Sequence, residues 1–146
     1  MDIFNKLTEQ ATHWLKDTMA ELSTDDRQQA WHALRAGLHA LRDRLTVEEA
    51  AQLSAQLPQL IRGLYFEGWD PTDKPLRIRH ATDFLALVRE KYAPRLDLPA
   101  GDIIRAVFRV LERNVSKGEL TDIMLTLPGE LVALVRQGGI DERARL

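Results

Sequence analysis

The chain of 146 residues contains no cysteine. Disulfides, thiol catalysis and Cys-based zinc sites are thereby excluded. Charge of one sign is not in excess either. A net charge of −2 leaves no global electrostatic pull toward nucleic acid or an acidic membrane. No apolar stretch approaches the roughly 20 residues that span a bilayer. The opening MDIFNKLTEQATHW has no basic segment followed by an apolar run, so a signal peptide is not expected and a cytoplasmic location is. Serine is scarce (Ser23, Ser54, Ser116), and neither a phosphate-cradling glycine loop nor a Gly-x-Ser-x-Gly elbow occurs. These absences point to no catalytic residue and no cofactor.

What is present is an ordinary globular composition, 45% hydrophobic and 29% charged, long enough for one domain (1–146) with a real core. Arg far outnumbers Lys. That bias suits phosphate or carboxylate binding, although GC-rich codon usage explains it more plainly.

Apolar spacing predicts helices throughout and no sheet. Phe4, Leu7, Ala11, Trp14, Leu15, Thr18 and Leu22 share one face of a first helix. Trp31, Leu34, Leu38, Leu41 and Leu45 form the buried stripe of a second, from about Asp25 to Leu45. Its small flank of Ala33, Ala36, Gly37 and Ala40 would let another helix approach closely. Thr46 with Glu49 reads as a capping box that starts a third helix. Pro58 opens a short fourth carrying Leu60, Ile61 and Leu64. Gly68, Pro71 and Pro75 then force a loop. A fifth helix is expected over Ala81–Tyr92, and a sixth, from Pro99, carries Ile103, Ile104, Val107, Phe108 and Leu111. Ser116 with Glu119 repeats the capping box, Pro128 opens the last helix, and Gly138-Gly139 is expected to stop it.

The two halves match without a gap at an offset of 70 residues: Arg35 with Arg105, Leu41 with Leu111, Thr46 with Ser116, Glu49 with Glu119, Leu57-Pro58 with Leu127-Pro128. This predicts a compact all-α domain of two pseudo-repeats of about four helices each. The repeats span 1–69 and 81–137, with an aromatic connecting loop at 66–80 and a short tail at 138–146.

The strings RAGLHALRDRLTVEEAAQLSAQLPQLIRGLYFEGW and DPTDKPLRIRH, with IIRAVFRVLERNVSKGELTDIMLTLPGEL as a second copy, resemble the bacterial family catalogued as domain of unknown function 2267. The resemblance covers Trp14 to Val135. It implies an all-helical bacterial protein and no activity, and it carries over no catalytic residue.

Two constellations are candidates for binding. His32, Arg35, His39 and Arg42 make a basic stripe on the second helix, suited to an anion or an acidic partner and tunable through the histidines. The plain alternative is a solvated flank. A zinc site from His32 and His39 is rejected, because seven residues separate the rings by roughly 10 Å along the axis. Arg62, Tyr65, Phe66 and Trp69 form the second constellation, which the other half of the chain lacks. Here Trp69 and Phe66 are expected in the seam, with Arg62 and Tyr65 outward as an interaction surface. Carboxylate pairs such as Glu48-Glu49 and Asp25-Asp26 are accounted for by helix starts.

The leading expectation is a non-enzymatic module for protein–protein interaction or self-association. The alternative is a protein that binds a small molecule or anion in a pocket between the repeats, lined by Arg35, Arg42, Arg62 and Tyr65, with an undetected enzymatic activity not excluded. A nucleic-acid-linked role through the Arg-bearing faces is the least favoured.

Overall fold

In the computed structural model, which describes the backbone of residues 2–145 and the side chains of residues 2–137, the described residues are helices and connecting turns with no strand. Asp2 caps α1 (Ile3–Leu22) by accepting from the amides of Phe4 and Asn5, and Asp26 caps α2 (Arg27–Arg44) in the same way. α3 (Val47–Ser54), α4 (Gln59–Phe66), α5 (Ala81–Leu87), α6 (Ala100–Asn114), α7 (Lys117–Thr126) and α8 (Gly129–Arg145) follow. The breaks fall where the caps and prolines put them: after Arg44, before Gln59, after Asn114 and before Gly129.

The main apolar cluster lies where α2 and α6 cross, and a smaller one of Ala33, Ala36, Ala93 and Ile103 lies beside it. Leu34, Leu38, Leu41 and Leu45 from α2 and its end meet Ile104, Val107, Phe108 and Leu111 of α6. Trp31, at the stripe's edge, is only half-buried. Gly37 permits the crossing: a Cβ there would lie 2.4 Å from Cγ2 of Val107. α1 lies on α6 and α4, while α5 with its following turn lies on α2 and α8; α3 packs on α7.

Four expectations change here. Phe4 is 74% exposed and Leu60 is 47% exposed. The first turn of α1 is exposed, and Leu60 lies at the edge of the buried face of α4 that Ile61, Leu64 and Tyr65 fill. The fifth helix ends at Leu87, and Val88–Tyr92 is a π turn closed by Ala93 N donating to Val88 O at 2.8 Å. Gly138-Gly139 does not stop α8, which continues to Arg145. Glycine only weakens a helix, and the following Asp-Glu-Arg-Ala-Arg lacks a proline to break it.

The capping boxes are half-formed. Thr46 Oγ1 accepts from Glu49 N and Ser116 Oγ from Glu119 N, both at 3.1 Å. The reciprocal bonds from the glutamates are not made, and Ser116 N donates instead to Gln56 Oε1 at 2.7 Å. Glu49 and Glu119 thus leave the caps, and both are 6% exposed.

Candidate functional site

α2 ends in Arg42-Asp43-Arg44, and all three are buried, with 3%, 3% and 7% exposure. Charge at that depth requires partners, and the segment that follows α4 supplies them. Arg42 Nε donates to Asp43 Oδ1 at 2.8 Å. Its Nη1 donates to the carbonyls of Tyr65 at 2.7 Å and Glu67 at 3.1 Å. Arg44 Nε donates to Ile78 O at 2.6 Å, and Leu76 N donates to Asp43 O at 2.9 Å. The charged end of α2 therefore pins both ends of the 67–80 loop. Gly68, at φ +68°, provides the left-handed turn that leads out of α4.

The far wall comes from the π turn. Its extra residue per turn carries Tyr92 inward, so that Tyr92 OH donates to Asp43 Oδ2 at 2.5 Å. Arg89 holds the next segment by donating Nη1 to the carbonyls of Ala93 and Leu96, at 2.8 and 2.7 Å, and Nη2 to that of Leu98. Between α2, the loop and the π turn lies an open cleft of about 430 Å³, lined among others by Arg35, His39, Arg42, Glu67, Lys74 and Lys91. A smaller hollow of about 350 Å³ adjoins Arg35, with His32 and Tyr92–Leu96 as its other walls.

Charge in the cleft is partly committed. Arg42 is neutralised by Asp43, and Arg35 Nη2 pairs with Glu67 Oε1 at 2.8 Å on the exposed rim. Lys74 donates to Thr72 O at 3.3 Å, and Lys91 sits 5.2 Å from the centre of the Tyr92 ring. Among the described residues neither lysine pairs with a carboxylate. His39 Nε2 lies 2.7 Å from Leu64 O; a carbonyl partner places the ring proton on Nε2. Burial lowers the His39 pKa below its ordinary value. The Leu64 carbonyl opposes this, Arg42 and Arg35 reinforce it, and Glu67 opposes it. Burial raises the Tyr92 phenol, and its bond to Asp43 raises it further.

The structure brings Arg35, His39 and Arg42 of the expected stripe to one cleft and puts His32 at the adjoining hollow. It does not bring Arg62, Tyr65, Phe66 or Trp69 there. The expected outward placement of Tyr65 is overturned. Tyr65 is fully buried, its hydroxyl donates to Ala50 O at 2.8 Å, and burial raises its pKa. Tyr65 follows Ile61 by one helical turn and so lies on the inner face of α4. Arg62 is half-buried and donates to the carbonyls of Ser54 at 2.8 Å and Leu57 at 2.9 Å, satisfying the end of α3. Phe66 and Trp69 are half-buried against the core, with ring centres 5.1 Å apart.

Asp43, Glu67, Gly68, Asp70, Lys74, Lys91 and Tyr92 are the cleft residues that the sequence reading missed. The adjacency Arg42-Asp43-Arg44 at a helix end was the available signal, since three charges there need partners from elsewhere in the fold. Among the described residues no helix is long and apolar enough to cross a membrane.

The sequence model of the family described as "Uncharacterized conserved protein (DUF2267)" matches residues 11–134. The chain belongs to that family. No curated protein matches it.

Proposed function

We propose that this DUF2267 member is a non-enzymatic binding module whose cleft between α2, the 67–80 loop and the π turn takes a small anionic molecule. The observation that carries this reading is the pair Lys74 and Lys91, neither within ion-pair distance of a carboxylate among the described residues, in a concave site beside His39 and Arg35; Asp70, held by Thr72, is the one cleft carboxylate near Lys74. An anionic group between the two lysines would be held by charge-assisted bonds, while neutral His39 can contribute polar contact without adding charge. The equivalent end of the other half supports a specialised role for this one. There Arg113 and Asn114, at the end of α6, are engaged by Asp17 and Glu21 of α1.

A protein partner is the second reading. The exposed rim of His32, Arg35 and Glu67 favours it, because an acidic segment could exchange with Glu67 on Arg35. In this proposal the two halves are pseudo-repeats packed about the α2–α6 crossing. In the same proposal the protein is bacterial and cytoplasmic.

Calorimetric titration of the full chain with inorganic phosphate and with citrate tests the reading. Saturable binding in the parent that is lost in Lys74→Ala/Lys91→Ala, with an unchanged melting temperature, is expected. Binding that is absent, or equal in the two proteins, contradicts it.

A further inference from the structure

Away from the cleft, α3 and α7 pack against each other and bring together three carboxylates: Glu49 from α3, and Glu119 and Asp122 from α7. One oxygen from each lies within 4.8 Å of the others. Glu49 and Glu119 are both 6% exposed, and Oε1 of each is buried without any hydrogen-bond partner. These are the two glutamates that forgo the reciprocal half of their capping boxes. Among the described residues no Lys, Arg or His forms an ion pair with any of the three.

Two buried, unpartnered carboxylate oxygens within one three-carboxylate cluster are costly as they stand. The N-termini of α3 and α7 offset part of the negative charge, since each glutamate is the third residue of its helix. They do not supply the missing partner for either Oε1. Burial pushes the Glu119 carboxyl up to about 7, with Glu49 and then Asp122 adding to it; burial, and then Asp122, raises Glu49 as well.

We propose that Glu49, Glu119 and Asp122 form a site for one hard divalent cation that ties α3 to α7. The donors are all carboxylate oxygens, the set that suits Ca²⁺, Mg²⁺ or Mn²⁺ rather than softer metals. Their span fits. Ligands on opposite sides of a cation with metal–oxygen bonds of about 2.4 Å stand about 4.8 Å apart. Asp122 is exposed. It gives the ion a way in from solvent, and water can complete the coordination. Because one glutamate comes from each half of the chain, the ion would clip the halves together.

The test uses the full chain dialysed against chelator, then titrated with Ca²⁺ and separately with Mn²⁺, followed by calorimetry and thermal melting. One saturable site is expected, with a raised melting temperature. Glu49→Gln, Glu119→Gln and Asp122→Asn should each weaken affinity about tenfold or more and remove the cation's effect on melting. Asp122→Asn changes an exposed side chain, so it keeps the test valid should a glutamate variant fail to fold. No heat and no melting shift up to about 10 mM of either cation, well above the weakest carboxylate sites, would overturn the proposal and leave a shared proton as the resolution. Undiminished binding in Asp122→Asn and Glu119→Gln would place the ion elsewhere and overturn it equally.

Discussion

The Cβ that Gly37 lacks would stand 2.4 Å from Cγ2 and 2.7 Å from Cβ of Val107, its counterpart at the 70-residue offset. The two central helices touch where only a hydrogen fits. Gly37→Ala should therefore destabilise the protein by about 1–3 kcal/mol through overpacking, despite the roughly 1 kcal/mol that alanine adds to helix propensity. Denaturant melts of Gly37→Ala, Val107→Ala and the double variant check this. The double variant should be more stable than the sum of the two single changes predicts.

Leu38 is 1% exposed at the centre of the core, whereas Thr46 contributes one capping bond. Leu38→Ala should cost about 2–5 kcal/mol, and Thr46→Ala about 0.5–2 kcal/mol. Denaturant midpoints should rank them in that order.

Tyr65 serves folding. Tyr65→Phe should cost about 0.5–1.5 kcal/mol, the net worth of the bond to Ala50 O. Tyr65→Ala should cost about 3–5 kcal/mol. Chemical melts measure both, and neither tyrosine variant that folds should lose anion binding.

His39 should titrate below 6.5, because burial lowers its folded pKa. The sign follows from linkage. Below 6.5 the unfolded chain takes the proton first, so His39's contribution to stability is present above 6.5. It is lost as pH falls through that value toward the folded pKa. Glu119 acts in the opposite sense. Its folded pKa of about 7 exceeds its unfolded value of 4.5, so its contribution falls as pH rises between them. Because the two overlap, the His39 imidazole resonances followed by NMR across pH are the clean measurement. A His39 midpoint above 6.5 would contradict the burial argument.

How far the sequence could be read depended on whether the deciding interactions were local. Caps and prolines act over four residues, so Thr46, Ser116, Pro58 and Pro128 located the breaks correctly. Helical spacing likewise marked Leu34, Leu38, Ile104 and Phe108 as core, and the small flank at Gly37 as a close approach. The same spacing placed Phe4 inside, because periodicity cannot tell which turns of a helix are covered. Tyr65 was readable from Ile61 and Leu64, yet its aromatic neighbours drew it into a surface cluster. The cleft was not readable: Asp43 meets Tyr92 across 49 residues, through a π turn that no local pattern announces. Buried Arg42 and Arg44 are stabilised by main-chain carbonyls, which carry no sequence signature. Glu49 and Glu119 looked like complete capping boxes, and only their packing across α3 and α7 separates them from that role.

The most direct measurement of the binding account is an amide chemical-shift map of the full chain titrated with citrate. Saturable perturbations are predicted at Arg35, His39, Glu67–Lys74 and Lys91–Tyr92, with α3 and α7 undisturbed. Shifts scattered over the Arg-bearing surface without saturation, or none at the cleft, would contradict it.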